Sequence, residues 1–97
     1  MTHAATTYCA EVLSLAPAPA GRPPPQAKVV LIAQRVDGFF LERLGPGGER
    51  LGRTQHETLD EAMYQAHAEY TLSEWRFCPD DADPLEYVRR ARATPHE

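Results

Sequence analysis

Apolar residues alternate or cluster in short runs over the first half of the chain and take a helical spacing later. Thr6 to Leu15 places Tyr8, Ala10 and Val12 on one side and Cys9, Leu13 and Leu15 on the other, which predicts a strand. Lys28 to Val36 holds the densest β-prone run, Val29-Val30-Leu31-Ile32-Ala33, and Phe39-Phe40-Leu41 follows it across Asp37-Gly38. Asp-Gly between two such runs signals a two-residue type I′ hairpin, whose turn residues both take φ > 0. That turn pairs Val36 with Phe39, Gln34 with Leu41 and Ile32 with Arg43. One hairpin face then carries Val30, Ile32, Val36, Phe39 and Leu41, and the other Val29, Leu31, Ala33, Phe40 and Leu44. Gly45-Pro46-Gly47-Gly48 is a turn, and Glu49 to Gln55 is a weaker strand anchored by Leu51.

From Thr58 the period changes. Thr58-Leu59-Asp60-Glu61 fits a capping box, with Glu three residues after the cap. Leu59, Ala62, Met63, Ala66 and Tyr70 fall in one sector of a helix ending near Thr71. Asp60, Glu61, Tyr64, Gln65 and Ala68 lie opposite, with His67 and Glu69 on the flanks. Glu74 to Cys78 is a short strand with Trp75 and Phe77 on one face. Asp83-Pro84-Leu85-Glu86 opens a second helix, with an Asp cap and proline at the first helical position. Its inner stripe is Leu85, Val88 and Ala91.

The elements predict an α+β fold, an antiparallel β-meander of three to five strands with one amphipathic helix packed on a face and a short C-terminal helix. One domain spans residues 1–97, with frayed tails at 1–5 and 93–97. A Pro-rich connector covers 16–26, where five prolines in residues 16–25 exclude a helix or a central strand. A single helix covers one side of the meander, so the face with Val29, Leu31, Phe40 and Leu44 needs a cover of its own. The C-terminal helix, the Pro-rich segment and a second copy of the chain are the three candidates. Leu31, Phe40 and Leu44 therefore mark a candidate interaction face and point to a dimer or a partner-binding sheet.

Composition narrows the function classes. The core is lean: Leu, Ile, Val and Phe together number 18, while alanine contributes 14. No apolar run is long enough for a membrane span, and the first 20 residues lack the pattern of a secretory signal. The expected location is therefore the cytoplasm, with Cys9 and Cys78 reduced and acting as small apolar side chains. The formal net charge of −4 is unevenly spread. Residues 22–53 hold six basic and three acidic side chains, whereas residues 54–88 hold nine acidic ones and only Arg76 as a base.

Chemistry-bearing motifs are scarce. No Walker-type loop, nucleophile elbow or zinc spacing is present, so no cofactor, metal or catalytic residue is assigned. His56 and His67, with Glu57 or Glu61, match no established metal pattern. A non-catalytic protein-binding role is favoured over an enzyme. Its expected surface is the acidic outer helix with Asp60, Glu61 and Tyr64, together with the Asp80–Asp81 loop, an aromatic among acids that suits a basic partner. The alternatives are a nucleic-acid module using Arg35, Arg43, Arg50, Arg53 and Phe40 of the basic hairpin, and a small enzyme or metal-binding domain without a recognisable motif.

The segment Thr54 to Tyr70, followed by Trp75, resembles small uncharacterised bacterial α+β proteins carrying T-x-H-x-T-L-x-E-A-x-x-Q-A-x-x-E-Y. The resemblance covers residues 28–88 and implies the same fold without an activity. Small acidic bacterial proteins of this size include toxin-neutralising immunity proteins, an analogy of size and charge.

Overall fold

The computed structural model describes residues 7–16, 24–78 and 83–93. Its elements are β1 (Thr7–Leu15), β2 (Val29–Arg35), β3 (Gly38–Leu44), β4 (Arg50–His56), α1 (Leu59–Glu69), β5 (Tyr70–Leu72), β6 (Arg76–Phe77) and α2 (Pro84–Ala93). The fold is α+β, as the pattern predicts. All strand pairs are antiparallel, and the sheet runs β4-β3-β2-β1-β5. β6 also pairs with β1, so β5 and β6 share the edge of β1 that faces away from β2, one against each half. Of the expected Pro-rich connector only Ala16 and Pro24 to Gln26 are described, and Asp80 and Asp81 lie outside the described residues.

The β2–β3 hairpin turns one residue earlier than Asp37-Gly38 suggests. Arg35 pairs with Gly38, Ile32 with Leu41 and Val30 with Arg43, leaving Val36 and Asp37 in the loop. A type I′ turn would force Asp37 to a positive φ, a conformation costly for a side-chain-bearing residue. Among the described residues no non-glycine has positive φ, and at this hairpin Gly38 supplies it at 136°. A Cβ on Gly38 would also meet the His56 carbonyl oxygen at 2.9 Å. Because the pairing register changes by two residues, an even number, the two faces keep their expected residues except Val36, which leaves the sheet for the loop and is fully exposed.

α1 crosses the sheet from the β4 edge to the β5 edge, covering the face with Ala10, Val30, Ile32 and Leu41. Ala62 and Ala66 are fully buried there, and Leu59 and Met63 pack at the margin. Small side chains in the centre let the helix approach the strands closely. The helix ends at Glu69 rather than near Thr71. Tyr70 is extended, with φ −139° and ψ 154°, and starts β5, a strand the helical stripe had absorbed. Tyr70 stays in the core because its ring faces the same cluster from the sheet.

α2 covers the opposite face. Asp83 caps it, its carboxylate accepting from the Leu85 amide at 3.0 Å. Val88 is buried with Cys9, Val29, Leu44 and Cys78, and Leu85 and Tyr87 pack beside them. The C-terminal helix thus supplies the cover for the β1–β2 half of this face.

Candidate functional site

Arg43 sits on β3 at a position whose alternation points it under α1, beside Leu41 and Phe39. It is 3% exposed. Its guanidinium binds the Glu69 carboxylate in a two-pronged pair, Nε to Oε1 and Nη2 to Oε2, both at 2.8 Å. Nη1 also donates to the Thr54 hydroxyl at 3.1 Å and the Leu41 carbonyl at 3.2 Å. Gln65, one turn before Glu69, donates to Oε2 at 2.6 Å. The Thr54 hydroxyl lies 2.9 Å from His56 Nε2. Burial works against the Glu69 charge, but the bonds from Arg43 and Gln65 outweigh it and hold the carboxyl below its usual range. Next to it, burial and then the Glu69 charge push the Tyr70 phenol up to about 12. The protonated phenol donates to the Pro25 carbonyl at 2.6 Å.

This network accounts for the polar positions of the Thr54–Tyr70 segment. Thr54 and Glu69 hold Arg43, Gln65 braces Glu69, and Thr58 accepts from the Glu61 amide at 3.1 Å as the helix cap. Leu59, Ala62, Ala66 and Tyr70 are core. The capping box is displaced by one residue: the Glu61 carboxylate accepts from the Glu57 amide at 3.3 Å, not from Thr58. The motif thus describes how a strand and the following helix dock. The chain pattern assigns Arg43 only to the alternative nucleic-acid surface and gives Gln65 and Glu69 no partner. The available signal was a charged residue at an inward position of β3.

Asp60, Glu61 and Tyr64 are all exposed on the outer side of α1, Tyr64 at 78%. Near its end, exposed His67 accepts from the Trp75 indole at 3.0 Å, with the rings edge-on at 5.9 Å. That bond requires a neutral His67 ring with its proton on Nδ1. His56 and His67 have different partners, and among the described residues no three metal-ligating side chains converge.

The other candidate residues are largely engaged within the chain. Leu44 is buried beneath α2, Leu31 packs against the same cluster, and Phe40 is half-buried with the Arg53 guanidinium 4.2 Å from its ring centre. Glu42 bridges Arg50 and Arg53, each at 3.4 Å. Of the basic hairpin side chains, Arg43 is thus interior, and Arg50 and Arg53 are paired. In the Gly45–Gly48 turn the Glu49 carboxylate accepts from the Gly47 amide at 2.9 Å, where a bound anion would compete with it. The backbone path brings Cys9 and Cys78 into one buried cluster, a proximity their sequence separation conceals. No known protein family matches this chain, and neither does a curated protein or a solved structure.

Proposed function

We propose that this chain is a small non-catalytic binding protein that contacts a basic protein partner through the outer face of α1. The observation that carries the reading is Tyr64, exposed beside Asp60 and Glu61 on a helix whose inner side is fixed. A large aromatic at low conformational cost is an effective interface anchor, and surrounding acids speed encounter with a basic surface. The Arg43–Glu69 pair and the caps hold the helix in place before a partner arrives, which lowers the ordering cost of binding. An immunity-like role, in which this acidic face covers a basic surface on another protein, is the most concrete form.

The test compares wild type with Asp60→Arg/Tyr64→Ala as immobilised baits. Glu61 is left intact because it caps the helix start. Wild type should retain a partner whose association slows with salt. The double variant should lose it with an unchanged melting curve. Equal retention by both proteins would refute the reading.

A further inference from the structure

Cys9 lies within β1, and Cys78 directly follows β6. Tyr8 and Cys9 stand opposite Phe77 and Arg76, and the Cys78 amide donates to the Thr7 carbonyl at 2.8 Å. Continuing that register sets Cys78 opposite Thr7. Side chains alternate along a strand, so Cys78 shares a sheet face with Cys9 as its diagonal neighbour on the adjacent strand. Neither cysteine is in a disulfide, both are buried under α2 with Val29, Leu44 and Val88, and Cys78 lies close enough to Cys9 to oppose its ionisation.

We propose that Cys9 and Cys78 are a dithiol that closes to an intramolecular disulfide on exposure to a small-molecule disulfide such as oxidised glutathione. The bond pins β6 and the start of α2 to β1. In the first step the Cys78 thiolate attacks one glutathione sulfur, and a glutathione thiolate leaves. Cys9 then gives its proton to a base in solution and attacks the Cys78 sulfur of the mixed disulfide, expelling the second glutathione. Two protein thiols are oxidised, and one glutathione disulfide is reduced to two glutathione thiols. Burial, reinforced by Cys78, pushes the Cys9 thiol up to about 12, which suits it to resolve the mixed disulfide rather than to initiate. The first step follows the opening of α2, which covers both thiols, and the second is slow because Cys9 gives up its proton reluctantly. Closure joins two cysteines held on neighbouring strands and on one sheet face.

Reduced protein is incubated with oxidised glutathione, quenched in acid and measured by mass spectrometry and by thiol titration in denaturant. The expected product is a monomer lacking two hydrogens, with no free thiol and no retained glutathione. Its Tm should rise by about 10–20 °C, the size expected for closing a loop of roughly 70 residues in a small domain, and dithiothreitol should reverse the rise. Cys9→Ser should stop at one glutathione on Cys78. Wild-type protein that keeps both thiols, holds glutathione without resolving it or forms a linked dimer would overturn the proposal. So would a thiol–disulfide equilibrium with glutathione that favours the protein disulfide no more in the folded protein than in concentrated urea, a comparison that needs no variant.

Discussion

The α1 side of the sheet holds a cluster of eight buried residues, two of them on α1 itself, and a buried ion pair, whereas the α2 side holds a cluster of five, one of them on α2, and Glu42 on that face pairs only with the exposed Arg50 and Arg53. α1 is held by a cap, by alanines that seat it close to the strands and by Glu69, which ties its last turn to the middle of β3. Among the described side chains, α2 is held by Asp83 and by Leu85, Tyr87 and Val88, of which Val88 is buried. One sheet thus supports two attachments of unequal strength. The strong one positions the exposed Tyr64 face, and the weak one shields the cysteine pair. A surface that presents a rigid helix and a cover that can lift call for different physics, and the two faces divide them.

Four experiments break or sharpen that contrast. Glu69→Ala should have the largest effect, about 3–5 kcal/mol in urea unfolding, because it leaves Arg43 charged, buried and unpaired. Arg43→Met with Glu69→Leu should recover most of that loss, since an apolar pair of similar volume avoids the desolvation cost. Acid should attack the same bond more gently. The folded-state pKa of Glu69 is lowered, so its contribution is complete above the ordinary value of 4.5 and disappears as pH falls through the lowered one. Glu69→Gln should flatten the stability–pH curve over that acid range. Third comes Val88→Ala, at about 1–2 kcal/mol. In hydrogen exchange it should expose α2 amides while those of α1 stay protected, and equal loss in both helices would show that the two faces fail together. Tyr64→Ala is the smallest, within about 0.5 kcal/mol of wild type, as for a surface side chain without structural partners.

What the chain pattern discloses is local. The Thr58 cap, the Leu59–Ala62–Ala66 stripe and the Asp83-Pro84 helix start each depend on residues within one or two turns, and each appears where the spacing puts it. Hydrophobic alternation likewise assigns the faces of β1, β2 and β3, even though the hairpin turns one residue early. The Arg43–Glu69 pair depends on a helix crossing from one sheet edge to the other, which no periodicity encodes. Tyr70 shows the same limit: its apolar character fits the end of a helical stripe and the start of a strand equally well. The acidic Tyr64 face is legible because exposure follows from the helical angle. The cysteine pair is hidden because its two halves come from opposite ends of the described chain.

The position of β1 has a consequence for how the protein is made. β1 appears first, yet it is an interior strand whose second edge is filled by residues 70–78. During synthesis β1, β2, β3 and β4 can pair in order as they emerge, each with its predecessor. The backbone groups on the far edge of β1 must wait for α1 to be made and carried across. Contacts of such long range slow folding, and an open edge invites pairing with other chains in the interval. β5 and β6 therefore seal a strand made well before them, and a chain stalled before Tyr70 carries an aggregation hazard that the folded protein has buried.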